Sequence, residues 1–213
     1  MFEELPALSS LSFFQMSALC YHVPLSDNLV TSKKYLLPST SKYLDEESFA
    51  RIYMGFNELK ILLHIEVDVP FQEASLSDFR KTDSIELFFD TRDLKEKDII
   101  TQFHHHFVFF PEKIEGTLGR EITRFRTDDM HMLCEPQSLV ATPFYGKKNY
   151  ILDIEIPLSA LHGYDPTAFK RLGFCYRINR KDADPQHFGI SSFEYAIEKH
   201  PSLWPSLSLI NLI

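Results

Sequence analysis

Residues 83–111 read DSIELFFDTRDLKEKDIITQFHHHFVFFP and hold two alternating patterns joined by a charged link. In the first pattern, Ile85 and Leu87 alternate with Glu86 and Asp90. A period of two places successive side chains on opposite faces of a strand. We therefore predict a strand here with one apolar face and one acidic face.

The second pattern lies in residues 102–110, after the polar link. Phe107 and Phe109 fall on one face of the predicted strand, and His104 and His106 fall on the other. Two neighbouring strands of this kind would bring imidazole and carboxylate groups together on one side of a sheet. The phenylalanines would be buried on its other side.

Alternation of the same kind recurs along the chain and predicts an all-β fold. It is most regular over residues 59–69, where aliphatic and polar residues alternate. Further strands are predicted at residues 13–21, 49–56, 121–126, 130–134, 138–141, 150–156, 172–179 and 202–210. Loops or turns are predicted at residues 26–48, 112–119 and 181–186, and a short helical turn at 158–163. Many strands with few helices indicate a β-sandwich. We predict one domain over residues 1–213, with a core at 47–213 and a less regular N-terminal extension or edge strands at 1–46.

Composition narrows the classes of function. Nineteen Phe and nine Tyr favour strands, and only seven Gly argue against a glycine-rich phosphate loop. The net charge of -8 argues against nucleic acid as a partner, because neutralising phosphates needs clustered Lys and Arg. Cys20, Cys134 and Cys175 are widely spaced and are predicted to be reduced thiols. With no secretory signal and no membrane span in the sequence, we expect a cytoplasmic protein.

Five short segments resemble the carbohydrate-binding module family 9-like, or DOMON-like, β-sandwich. In chain order they are IEVDV (65–69), DSIELFFDTRD (83–93), YILDIEIPLSAL (150–161), RLGFCYRINRKD (171–182) and PSLWPSLSL (201–209). The resemblance covers about residues 50–210. It implies a jelly-roll-like antiparallel β-sandwich with one or two short helices. It also implies a non-catalytic module that binds sugar, haem or another small ligand, sometimes with a structural calcium ion.

The chain departs from that family in its aromatic residues. Sugar-binding members use exposed aromatic platforms, usually tryptophans, whereas the resemblance suggests a packing role for the single tryptophan, Trp204. A platform would then be built from tyrosine or phenylalanine, with these candidates: Tyr145, Tyr150, Phe188 and Tyr195. A haem site would use axial Met or His, but the chain has no haem-attachment motif.

A set of polar residues on the predicted strands forms the candidate ligand site. It comprises Glu86, His104, His106, Arg124, Asp153, Arg177 and Asn179, with Glu155 beside them. Arginine and carboxylate pairs hydrogen-bond well to sugar hydroxyls. The alternative is a network of ordinary cross-strand salt bridges.

Metal binding is a separate hypothesis. His104 and His106 stand two residues apart on a strand and are candidates to chelate a divalent metal, with Glu86 or Asp153 as a third ligand. The alternative is a pair of hydrogen-bonded histidines on a polar face. A cupin-like oxygenase is not supported, because Phe110 stands where its carboxylate would be. The Asp-rich loops TDDMH (127–131) and KDADP (181–185) are candidate calcium donors, although solvated turn acids explain them as well.

Three classes of function follow from these observations. The leading one is a non-catalytic binding module for a carbohydrate or another small polar ligand. A scaffold that binds a protein partner would instead have a filled, salt-bridged polar face and an exposed apolar patch. A metal-dependent enzyme would need converging histidines. Because the sequence has no G-x-S-x-G, H-E-x-x-H or P-loop motif, we do not expect an enzyme.

Overall fold

The computed structural model describes residues 16–27, 29, 31–96 and 98–211 of the chain. Strands dominate this part. They are β1 (Ser17–His22), β2 (Ala50–Phe56), β3 (Lys60–Val67), β4 (Ser84–Asp90), β5 (His104–Ile114), β6 (Thr117–Glu121), β7 (Val140–Tyr145), β8 (Tyr150–Pro157), β9 (Arg171–Arg180), β10 (Ala183–His187) and β11 (Ser206–Ile210). The helical elements are α1 (Ser41–Leu44) and 3-10 turns at Pro136–Ser138, Leu158–Ala160, Ile197–Lys199 and Pro201–Leu203.

The strands form one curled sheet that folds over a shared core. Its order is β6-β5-β4-β9-β11-β1-β2-β3-β8-β7, and β10 pairs with β9 beside this path. Neighbouring strands are antiparallel except for β1, which runs parallel to both β11 and β2. The predicted all-β sandwich is confirmed. The predicted strand at residues 13–21 lies partly outside the described residues, which begin it at Ser17.

The main core forms where the apolar sides of the alternating strands meet. Leu63 and Ile65 of β3 pack in the same buried cluster as Leu87 of β4 and Phe107 of β5. Each such side chain contributes about 1.5–3 kcal/mol when it is removed from water. This gain explains why the alternation predicts these strands well.

Strand β4 is buried on both faces, which alternation alone does not predict. All seven of its residues are buried. On its outer side, Phe88 packs in a second apolar cluster with Cys175, Ile197 and Trp204. Ile190, Ile197 and Trp204 from the last part of the chain cover this side, together with Ile100 and Phe125.

Several predicted boundaries are wrong. Strand β5 continues through Pro111, and β6 occupies part of the predicted turn at residues 112–119. The register between β5 and β6 is irregular between Phe109 and Ile114, so the missing N–H of Pro111 is tolerated there. Residues 122–126 and 130–134 are not in a strand, and β10 replaces most of the predicted loop at 181–186.

Two smaller expectations concern thiols and membranes. All three cysteines are free, and burial raises the pKa of the Cys20 and Cys175 thiols far above their ordinary range. Within the described ranges, no helix has the length and apolar character needed to cross a bilayer.

Candidate functional site

A cavity of about 700 Å³ lies over the outer side of β4 and β5. Its floor includes His104 and His106 of β5 and the indole of Trp204. Segments that follow β3, β6 and β10 supply its walls, and they include Arg80, Arg124 and Glu198. Three of the residues that the sequence singled out, His104, His106 and Arg124, therefore line one cavity.

Beneath the cavity floor, Glu86 is the centre of a buried polar network. Its Oε1 accepts hydrogen bonds from Arg177 Nε at 2.6 Å and from Asn179 Nδ2 at 2.9 Å. Its Oε2 accepts from Arg177 Nη2 at 2.7 Å and faces His106 Nε2 at 2.9 Å. The side chain of Glu86 is fully buried, so this bidentate pair is shielded from solvent.

The network determines the charge of its members. Burial raises the pKa of Glu86, but the hydrogen bonds from His106 and Arg177 outweigh it and lower that pKa well below its ordinary value. Burial also lowers the pKa of His106, and this effect exceeds the opposing effect of Glu86. A neutral His106 that donates from Nε2 keeps Nδ1 as an acceptor. Nδ1 has no hydrogen-bond partner among the described residues.

His104 is fixed in a different way. The backbone N–H of Thr101 donates to His104 Nδ1 at 2.9 Å, so a neutral ring carries its proton on Nε2. Nε2 is buried and has no hydrogen-bond partner in the described part of the chain, since Asp90 Oδ2 is 3.5 Å away. The cavity floor thus presents one ring with a spare acceptor, Nδ1 of His106, whereas Nε2 of His104 is buried and faces Asp90 Oδ2.

The rim of the cavity is electropositive. Its acidic residues are already paired: Asp78 with Lys81 at 3.2 Å, and Glu198 with Arg80 at 3.2 Å. Asp98 contacts His200 and Ser202. The remaining cationic side chains are exposed and have no ion pair with any described residue: Arg124, Arg126 and Lys199. In a chain with a net charge of -8, this local excess is distinctive.

The structure separates the predicted set into three groups. His104, His106 and Arg124 line the cavity, while Glu86, Arg177 and Asn179 are buried below it and support His106. The placement of Asp153 in the same patch is wrong. It points away from the core on β8, six positions from β4 in the strand order, and contacts His64 at 2.5 Å. Glu155 lies on the same strand and pairs with Lys60 at 2.7 Å. Alternation identified their polar faces but not the layer to which each strand belongs.

The predicted aromatic platform is largely wrong. Tyr150 and Phe188 are fully buried in the main core and cannot contact a ligand. Tyr145 is exposed on β7, and Tyr195 lines a different, smaller cavity. Trp204 is 1% exposed and donates from Nε1 to the Ile197 carbonyl at 2.9 Å, which agrees with a packing role.

The potential metal ligands that converge in the structure are not the predicted pair, His104 and His106. In the described part of the chain, three His, Cys, Asp or Glu donors come within 4.8 Å of one another at a single place, and the residues are His105, Glu121 and His131. His104 and His106 are not in this group, and neither Asp-rich loop supplies a group of its own. Calcium binding by those loops stays a prediction.

His105 and Glu121 could have been found from the pattern of the strands. His105 shares a face with Phe107, and its ring is parallel to that of Phe107 with centroids 5.7 Å apart. Glu121 lies opposite Phe107 in the register of β5 and β6, and therefore points to the same side. No pattern in the sequence links His131 to them, because it reaches the site on a loop.

Comparison with known proteins adds evidence at the level of the fold. No family model matches the chain, and no curated protein matches it. Among solved structures, it is similar to a carbohydrate-binding module family 9 from Caldicellulosiruptor kristjanssonii in complex with cellotriose, with 12% identity and a TM-score of 0.64 over 92% of this chain and 95% of that one. The glucose complex of a family 9 module from the same organism gives 12% identity and a TM-score of 0.61, with 92% and 97% covered. A protein from Bacteroides uniformis gives 11% identity and a TM-score of 0.54, with 92% and 100% covered.

These matches define the class of fold. The chain has the β-sandwich of the family 9 carbohydrate-binding modules, as its five landmark segments predicted. At 12% identity the likeness extends to the fold and not to the residues of a binding site.

Proposed function

We propose that this protein is a non-catalytic binding module whose ligand is a carbohydrate with an anionic group, such as a uronic acid. The observation that carries the proposal is the pair of unpaired arginines, Arg124 and Arg126, at the rim of a cavity whose floor is neutral and polar. A carboxylate on the ligand would form ion pairs with these arginines. The family 9 likeness supports a sugar as the rest of the ligand.

The chemistry of each part of the cavity suits a different part of such a ligand. A sugar hydroxyl can donate to His106 Nδ1. The planar guanidinium groups of Arg124 and Arg126 fit a carboxylate with two parallel hydrogen bonds. Phe79 is partly exposed on the wall and offers an apolar surface to a sugar ring.

The structures most useful for comparison hold neutral sugars, cellotriose and glucose. The proposed ligand differs from those sugars because it carries a negative charge. Calorimetric titrations with glucose, cellotriose, glucuronate and an oligogalacturonate would measure the preference directly. The expected result is binding of an acidic sugar that weakens as salt rises, because exposed charges are screened.

Variants test whether the cavity is the binding surface. Arg124→Ala should weaken binding of the acidic sugar by about 10- to 100-fold, since a hydrogen bond to a charged group contributes about 1.5–3 kcal/mol. Lys148→Ala is a matched control, because Lys148 is an exposed cation in the turn between β7 and β8. Equal loss in both variants, or equal affinity for neutral and acidic sugars, would contradict the proposal. Absence of any sugar binding would favour the scaffold hypothesis.

One observation favours a protein partner as the second candidate function. Strand β7 ends the sheet path, and it exposes Val140, Phe144 and Tyr145, of which Phe144 is 51% exposed. Exposed apolar side chains on an edge strand can pack against another chain. Light scattering of wild type and Phe144→Glu over a range of concentrations would reveal self-association through this edge.

The single-domain organisation and the cytoplasmic location stay predictions.

A further inference from the structure

A compact group of three potential ligands lies on the face of β5 opposite to His104 and His106, although His105 also borders the cavity. His105 Nδ1 and His131 Nε2 each lie 2.8 Å from the same atom, Glu121 Oε1. The two imidazole rings are 4.3 Å apart between centroids. The side chains of all three residues are at most 4% exposed, so they are withheld from bulk water.

The two histidines face more hydrogen-bond acceptors than their neutral rings have N–H groups to donate. The second nitrogen of His131, Nδ1, lies 2.7 Å from the carbonyl oxygen of Gln102. The second nitrogen of His105, Nε2, lies 3.4 Å from the carbonyl oxygen of His162. Each ring therefore faces an acceptor at both nitrogens, yet a neutral imidazole has only one N–H to donate. A cation between the rings and Glu121 would resolve this conflict.

The same contacts match the way in which proteins hold metal-binding histidines. A ligating histidine usually donates its outer N–H to a carbonyl or carboxylate, which orients the ring and leaves the inner nitrogen for the metal. The carbonyls of Gln102 and His162 occupy those outer positions here. Glu121 is oriented in turn by Thr123 Oγ1, which donates to Oε1 at 2.8 Å, and by the backbone N–H of Cys134, which donates to Oε2 at 2.9 Å.

The geometry points to a divalent transition-metal site formed by His105, Glu121 and His131, on the face of β5 opposite to His104 and His106. Two imidazoles and one carboxylate suit Zn²⁺, and also Fe²⁺ or Co²⁺, rather than Ca²⁺, which takes six to eight oxygens. Glu121 supplies the carboxylate ligand, and its Oε1 lies 2.8 Å from a nitrogen of each imidazole.

Three protein ligands leave one position open on a four-coordinate ion. A second cavity of about 310 Å³ borders the group and is lined by His131, Cys134, Ser159 and His162. A water molecule or a small anion could reach the ion from this side. Cys134 is not among the converging donors, and burial raises the pKa of its thiol to about 12.

The test uses the full chain and metal ions alone. Purified protein is stripped with a chelator, and Zn²⁺ and Co²⁺ are titrated separately by calorimetry and by the visible absorption of Co²⁺. One ion should bind per chain, and the absorption should be that of a four- or five-coordinate centre. X-ray absorption on the Zn²⁺ form should give Zn–N distances of about 2.0–2.1 Å from two imidazoles.

Substitutions assign the ligands. His131→Ala and Glu121→Gln should each weaken Zn²⁺ binding by more than the roughly 10- to 100-fold typical of losing an outer-sphere partner. His64→Ala is the matched control, since His64 also contacts a carboxylate, Asp153, but on another strand pair. Because a variant of a buried group can fail to fold, circular dichroism is recorded for each, and the wild-type melting temperature is measured with and without Zn²⁺. A rise in that temperature is expected if the ion binds only the folded state.

Two results would overturn the site. One is a wild-type chain that binds no ion stoichiometrically and melts at the same temperature with and without Zn²⁺, which would mean that the histidines balance their contacts by protonation. The other is Zn²⁺ binding that survives both His131→Ala and Glu121→Gln. Neither result depends on sugar binding, so failure of this site and failure of the proposed function are distinguishable.

Discussion

The ring of His106 lies against the ring of Phe88, with centroids 4.2 Å apart and planes inclined by 24°. Phe88 is on β4 and His106 is directly opposite it on β5. One face of the imidazole thus packs against an apolar ring, and the Glu86 carboxylate faces its Nε2 at the ring edge. A buried ion pair thus supports the orientation of a residue in the cavity floor.

Removing one partner of that ion pair should be costly. Arg177→Met leaves Glu86 charged and buried, and we expect the free energy of unfolding to fall by about 3–5 kcal/mol in urea titrations. Arg51→Met is the control: Arg51 also pairs with carboxylates, Glu66 and Asp68, but it is half exposed, so about 0–1 kcal/mol is expected. Similar losses in the two variants would mean that the Arg177 pair is not shielded.

The stability supplied by Glu86 should depend on pH. Its folded-state pKa lies below the ordinary value of 4.5, so the unfolded chain binds a proton more readily than the folded chain. The contribution is therefore complete above pH 4.5 and is lost as the pH falls through the lowered pKa. The difference in unfolding free energy between wild type and Glu86→Gln should be larger at pH 6 than at pH 3. A difference that is constant or grows at low pH would show that the Glu86 pKa is not lowered.

The strands that could be predicted from the sequence are those whose burial follows a period of two. Strand β3 is the clearest example, because its Ile61, Leu63 and Ile65 all reach the main core. Strand β10 was missed because its sequence, ADPQH, is polar and contains a proline. It is held by its neighbours instead: Gln186 accepts the backbone N–H groups of Phe49 and Ala50 at 2.8 Å. Such long-range hydrogen bonds leave no local signal.

The candidate site was predicted only in part, for a similar reason. Alternation shows on which face of its strand a residue lies, and it correctly grouped Glu86 with His106. It does not show which strands are neighbours, so Asp153 was placed in the wrong layer. Nor does it show whether a face is covered. Trp204 and the segments around it close over the outer side of β4, and thereby convert a predicted exposed polar face into a buried network beneath a cavity.

The fluorescence of Trp204 tests directly whether the outer side of β4 is buried. It is the only tryptophan, and its indole packs between Phe88 at 5.6 Å and His104 at 5.5 Å. Native emission should be that of a buried indole, with little quenching by iodide and a red shift on unfolding. Trp204→Ala should lower the unfolding free energy by about 3–5 kcal/mol. Strong quenching of the native protein by iodide would instead indicate an exposed aromatic platform.

Binding in the cavity should be visible through the same residue. Because Trp204 borders the cavity, a ligand bound there should change its emission. Titration of an acidic sugar into wild type should therefore give a saturable change in fluorescence. The same titration into Arg124→Ala should require a higher concentration to reach half of that change. A change in wild type that persists at the same concentration in the variant would place the sugar away from Arg124.

The loop after β10 offers a last test of how tightly the segment around Trp204 packs over β4. Gly189 has a φ of +81°, and a Cβ added to it would lie 2.1 Å from Pro205 Cγ, next to Trp204. Gly116 has a similar φ of +86°, but a Cβ there would meet nothing within 4 Å. Alanine at either position carries the same cost of about 1–2 kcal/mol for the left-handed backbone. Gly189→Ala should add about 1–3 kcal/mol of overpacking, because Pro205 cannot move without shifting β11. Equal melting temperatures for the two alanine variants would show that Pro205 yields freely and that the cover over β4 is loosely packed.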